Sequence, residues 1–102
     1  MRLEILDLAK DDLIDGYHFY ESKEEGLGNY FLASLYSDIE GLKLFGGIHR
    51  KAYDGFHRAL SKRFPFAIYY TVDEKIVRVR AVVDCRRHPS WLRKHLKKAE
   101  GA

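Results

Sequence analysis

Arg86-Arg87-His88-Pro89-Ser90-Trp91 gathers three potential cations and an indole at the end of a Val-rich segment. Such a corner suits capture of a phosphate or a carboxylate, because a guanidinium donates two parallel hydrogen bonds where a lysine offers a point charge. Arg58, Arg78 and Arg80 sit on neighbouring extended segments, and with Arg86 and Arg87 they are expected to line one surface. Outward strand positions are polar in any fold and Arg is common there, so it is the clustering that points to binding. Trp91 has two readings: an interface anchor, or a large side chain sealing the last helix onto the sheet. The remaining chemistry is sparse. His18, His49, His57, His88 and His95 include no i,i+4 pair, and Cys85 lies near only His88, so no metal site is expected. Gly26-Leu-Gly28 and Gly46-Gly47 follow helical patterns and do not lead from a strand into a helix, so no phosphate loop is present. No cofactor is expected.

These residues need a scaffold, and the periodicities supply one. Arg2 to Leu6 alternates as a short strand with Leu3 and Ile5 inward. Asp7 is placed to cap a helix from about Leu8 to Ser22, with Leu13, Tyr17 and Tyr20 as its stripe and Gly16 weakening it. The Glu24–Asn29 turn closes a helical hairpin, whose second helix runs to about Phe45 with Leu32, Leu35, Ile39 and Leu42 at buried spacing. Gly46-Gly47 ends it, and Ile48 to Asp54 reads as a loop. A strand from Phe56 to Lys62 follows, then Phe64 to Val72, a polar turn at Asp73-Glu74-Lys75, and a strand from Ile76 to Cys85. In that last strand Val77, Val79, Ala81, Val83 and Cys85 are expected to face the core together, which makes Cys85 a small buried hydrophobe. Pro89 opens a basic amphipathic helix to Lys98, with Trp91, Leu92, His95 and Leu96 on one side. The order β-α-α-β-β-β-α predicts an α+β domain in which the helical hairpin packs on a mostly antiparallel sheet.

A chain of 102 residues, 46% hydrophobic and 14% aromatic, is read as one folded domain covering 1–102. No apolar run approaches the roughly 20 residues of a membrane span, so no membrane partner is expected. Acidic residues in Met1-Arg-Leu-Glu-Ile-Leu-Asp7 argue against a signal peptide, and a cytoplasmic location is the default. The net charge of +3 hides an asymmetry. Residues 1–41 hold 3 Lys/Arg against 10 Asp/Glu, and residues 42–102 hold 15 against 5. A basic C-terminal half suits an anionic partner, nucleic acid or an acidic protein segment, and the two halves also suit solvated faces that attract each other within the fold.

The Phe64-Pro-Phe66 strand entry, the tight turn, the Val-rich strand and the Arg86-x-x-Pro89-x-Trp91 ending resemble the C-terminal half of the RelE/ParE superfamily, the toxins of bacterial toxin-antitoxin modules. Gly55-Phe-His-Arg-Ala-Leu60 is similar to that family's preceding strand, and the likeness extends over nearly the whole chain. It implies the fold just described, a cognate antitoxin partner whose C-terminal segment folds on binding, and a toxin–antitoxin hetero-oligomer. Messenger-RNA-cleaving members carry an Arg early in the strand that here reads Phe66-Ala67-Ile68, and a Tyr shortly after a terminal Arg. Here Phe66 replaces the first, Trp91 or Leu92 stands near the second, and Arg86 alone matches. In a ribonuclease, Arg86 or Arg87 would hold the phosphate while His57, His88 or Tyr70 exchanged protons. The resemblance instead favours the ParE-like branch, members of plasmid stabilisation systems understood to arrest growth by binding DNA gyrase without cutting RNA. In that reading Arg58, Arg78, Arg80, Arg86, Arg87 and Trp91 form the target-binding surface. A ribosome-dependent endoribonuclease acting on messenger RNA, or a non-toxic remnant that only pairs with its antitoxin, are the alternatives.

Overall fold

The computed structural model describes residues 1–53 and 55–101. Its elements are β1 (Arg2–Ile5), α1 (Asp7–Glu21), α2 (Leu27–Glu40), α3 (Leu42–Phe45), β2 (Lys51–Tyr53), β3 (Phe56–Leu60), β4 (Phe66–Asp73), β5 (Ile76–Asp84) and α4 (Pro89–Glu100). The five strands form one sheet in the order β1-β5-β4-β3-β2. The β1–β5 pair is parallel, and the β2–β3, β3–β4 and β4–β5 pairs are antiparallel. This is the expected α+β architecture with two additions. The second helix breaks at Gly41, which makes its last turn the separate α3, and the segment read as a loop contains the edge strand β2. Asp54, assigned to that loop, lies outside the described residues. Asp7 begins α1 and does not cap it; Leu6 holds the N-cap position without a side-chain cap.

Each face of the sheet has its own core. On one face, α1 and α2 contribute Leu13, Phe31, Leu35 and Ile39, which pack on Ile68, Tyr70, Val77, Val79 and Val82. On the other, Leu96 and Ala99 of α4 pack on Phe56, Ala67, Tyr69, Ala81 and Val83. A sheet buried on both faces reads as a near-continuous apolar run. This accounts for the five consecutive buried residues Phe66 to Tyr70.

The alternation expected along β5 does not survive its middle. The β4–β5 register passes from Tyr70↔Val79 to Tyr69↔Ala81, which leaves Arg80 unopposed as a bulge. A bulge adds one residue to one strand and so exchanges the faces beyond it. Val77 and Val79 therefore lie in the helical-hairpin core, while Ala81 and Val83 lie under α4. Val82, expected on the charged face, is 3% exposed. Cys85, expected in the core, is exposed because the strand has ended at Asp84.

Parallel pairing of β1 covers only Ile76–Val79, and the chain leaves the sheet after Leu6 N–H donates to the Val79 carbonyl at 3.0 Å. Beyond that point the outer edge of β5 is open. Here α1 and α4, from opposite faces, come together.

Candidate functional site

The site is the corner where β5 ends and α4 begins, closed on its far side by α1. The Val82 N–H on the open edge of β5 donates to Asp12 Oδ2 at 2.9 Å. Asp12 also accepts from His95 Nε2, at 2.8 Å to Oδ1 and 3.0 Å to Oδ2. Both side chains are about one-tenth exposed. The His95 ring stacks on Trp91 with centroids 4.6 Å apart and planes 13° from parallel. The Arg87 guanidinium lies 4.2 Å from the Trp91 ring centre, a cation–π contact. Trp91 and His95 lie at i,i+4 on α4 and Arg87 comes just before the helix, so the three form a ladder whose inner end rests on Asp12.

The corner itself is held by local bonds. Asp84 accepts from the Arg86 backbone N–H at 2.8 Å and from the Arg86 guanidinium at 2.9 Å and 2.6 Å. Those hydrogen bonds hold the Asp84 carboxyl below its ordinary value, against the opposing effect of burial. The same pairing raises the Arg86 guanidinium. Pro89 occupies the first turn of α4, and His88 Nδ1 caps it by accepting from the Ser90 N–H at 3.1 Å. Beside the ladder is a cavity of about 270 Å³ lined by Asp12, Asp15, Phe19, Phe66, Asp84 and Trp91, among others.

The five arginines expected on one surface are divided by the fold. Arg58, Arg78 and Arg80 do share the α4 face of the sheet. Arg78 donates to Glu4 at 3.2 Å and lies 3.5 Å from Asp73. Arg80 donates to the Thr71 hydroxyl at 2.9 Å and to the Ala99 carbonyl at 3.2 Å, tying β5 to the end of α4. Arg58 is exposed and reaches Cys85 Sγ at 4.0 Å. Arg86 turns the other way, towards Tyr20 of α1. Arg87 stands apart from both groups on Trp91. The fold therefore does not gather the five cations into one anion cradle.

The proton-transfer candidates also lie apart from this corner. Tyr70 is fully buried; its hydroxyl accepts from the Gly47 N–H at 3.2 Å and pairs with His49 Nδ1 at 2.6 Å. His57 stacks on the Tyr70 ring and donates from Nδ1 to the His49 carbonyl at 2.6 Å. Together they pin the Gly47–His49 segment to the sheet. Burial pushes the Tyr70 phenol upward, opposed by hydrogen bonds from the Gly47 and His49 backbone. His88 is committed to capping α4.

Asp12 and His95 were not picked out as site residues. In the sequence Asp12 is one of several acids early in α1. Its signal was positional: Ala9, Asp12, Leu13 and Gly16 share one buried stripe, and a carboxylate there must have partners.

No family model matches the sequence, and no curated protein matches it. Among solved structures, a chain of the chromosomal ParDE TA system from P. aeruginosa superposes with a TM-score of 0.71 at 18% identity, over 82% of this chain and 95% of that one. The likeness shows that the α+β fold is ParE-like.

Proposed function

We propose that this chain is the toxin of a type II toxin-antitoxin module, ParE-like, which arrests growth by stoichiometric binding to DNA gyrase and is neutralised by a cognate antitoxin. The observation that carries this reading is the structural likeness to a ParDE chain over 82% of the sequence. The interior gives it further support. Phe66, at the position where the messenger-RNA-cleaving relatives carry an Arg, is 7% exposed and packs on Phe31 with ring centres 4.9 Å apart. A guanidinium there would have to enter a cluster of aromatic rings, beside an Asp84 carboxylate that Arg86 already occupies. Tyr70, one of three proton carriers considered for cleavage, is shielded from solvent.

An antitoxin has an apolar surface to cover. Leu44, Ile48, Leu60 and Phe45 are 82%, 72%, 59% and 55% exposed. Phe45, Ile48 and Leu60 border a cavity of about 180 Å³ between α3, the Ile48–His49 segment and β3. Exposed apolar residues concentrated in this way mark a contact surface.

Induced expression of the chain in a bacterium lacking the antitoxin tests the proposal, with the DNA damage response and messenger-RNA integrity followed in parallel. Growth arrest with DNA damage and intact messages is expected, and co-expression of the antitoxin should relieve it. Arrest with cut messages and no DNA damage would replace the gyrase reading with the ribonuclease, and no arrest would leave an antitoxin-binding remnant.

A further inference from the structure

We propose that the outer face of α4 is a binding strip for the phosphate backbone of nucleic acid. Arg93, Lys94, Lys97 and Lys98 are all exposed on the helix side away from the sheet. At about 100° per residue they spread over about 140° of the helix circumference. None of the four side chains makes an ion pair or a hydrogen bond among the described residues. Three other cations, by contrast, are committed: Lys43 to Glu40, Arg78 to Glu4 and Arg86 to Asp84. The helix macrodipole favours Lys97 and Lys98 in the last turn, but it gives no reason for Arg93 and Lys94 in the middle. No acidic residue occupies the first turn of α4.

The chemistry of this face selects among anionic partners. A membrane-surface helix needs an apolar face to insert, and that of α4 is already spent, with Leu96 and Ala99 buried on the sheet and Trp91 and Leu92 packed beside them. A protein groove would want apolar or aromatic anchors, and the outer face offers none. A row of mobile, unpaired cations is what a polyanion of regular charge spacing needs, since each neutralised phosphate releases counterions. The inference is independent of the gyrase reading.

The test is fluorescence anisotropy of the full chain with a labelled arbitrary-sequence duplex DNA of about 20 base pairs, with a single-stranded RNA, and with phosphatidylserine vesicles, from about 50 mM salt upward. Binding to nucleic acid should weaken with salt, with a log–log slope of about −3.6 on duplex DNA or about −2.8 on single-stranded RNA if all four cations engage. The tighter of the two identifies the source of the phosphates. The variant R93A/K94A/K97A/K98A, whose changes are all exposed, should bind at least about tenfold more weakly with a flatter slope, while R93K/K94R/K97R/K98R keeps affinity. Circular dichroism confirms that both remain folded. Absence of nucleic-acid binding at low salt, binding to vesicles alone, or a quadruple-alanine variant that is folded and binds unchanged would each overturn the proposal.

Discussion

Asp12 on α1 and His95 on α4 approach to 2.8 Å around the open edge of β5, although their helices lie on opposite faces of the sheet. The pair is a clasp between the two cores. It forms where β1 has stopped pairing, and it satisfies the Val82 N–H that an open edge leaves exposed. Substituting Asp12→Ala orphans that donor and the His95 ring together. A buried donor left without a partner costs about 1–3 kcal/mol, and about 1 kcal/mol moves the melting temperature of a domain this size by about 4–8 °C. Asp12→Ala should therefore lower the melting temperature by at least about 5 °C, and Asp12→Asn, which keeps an acceptor for Val82, by less. In a double-mutant cycle the Asp12→Ala and His95→Ala losses should couple by about 0.5–3 kcal/mol. Additive losses would show that the clasp contributes nothing.

The elements were legible in the sequence because each carries its own periodicity. Leu35, Ile39 and Leu42 are buried at the spacing that marked them, and Trp91, Leu92, His95 and Leu96 share one side of α4 as expected. The arginine surface was not legible, because its geometry depends on partners distant in sequence. Arg78 is spoken for by Glu4, 74 residues away, and Arg80 sits in a bulge that no alternation pattern announces. Cys85 is misplaced by alternation for another reason: the strand ends at Asp84, one residue before it. Asp12 was hidden by its composition, being one acid among several.

Gly16 illustrates a conflict between propensity and packing. A glycine inside a helix costs about 1 kcal/mol relative to alanine, so Gly16→Ala is stabilising on propensity alone. The structure reverses the sign. A Cβ at Gly16 would stand 2.5 Å from two Phe31 ring carbons, and one at Gly28 would stand 2.8 Å from the Tyr17 carbonyl oxygen. These glycines let α1 and α2 cross closely, and Phe31, fully buried, has no room to retreat. Overpacking of a tight core costs about 1–3 kcal/mol. Gly16→Ala and Gly28→Ala should each lower the denaturation midpoint, and a gain in either would mean that the helices can separate without loss.

Acid should loosen the corner that carries Arg86 and Arg87. The Asp84 carboxyl lies below its ordinary value when folded, so between that value and the unfolded one the unfolded chain binds more protons. Stability from this group is complete above about pH 4 and is lost as the pH falls below it. Asp84→Asn should flatten the fall in stability below about pH 4, measured by urea unfolding across the acid range. It should also lower the protection of the Arg86 amide from hydrogen exchange, because that N–H donates to Asp84.

Alkali should act at the central strand of the sheet, through Tyr70 of β4. Its phenol is raised from the ordinary value of 10.0 by burial, so above about pH 10 the unfolded chain loses its proton first. The folded state then binds more protons than the unfolded one, and stability falls with rising pH from that point. Tyr20 is raised in the same direction, also chiefly by burial, so the wild-type decline reflects both groups. Tyr70→Phe should remove one share of that decline and leave the Tyr20 share. At neutral pH the same variant loses the hydrogen bonds to Gly47 and His49, and a bond of this kind contributes about 0.5–1.5 kcal/mol. The variant should thus be less stable than wild type at pH 7, with the two curves converging as the pH rises past 10. Parallel curves would show that the phenol is not buried in solution as it is here. The hydrogen-exchange readout is local: loss of protection at the Gly47 amide, with the β4–β5 ladder unaffected, would tie the hydroxyl to the segment that precedes β2.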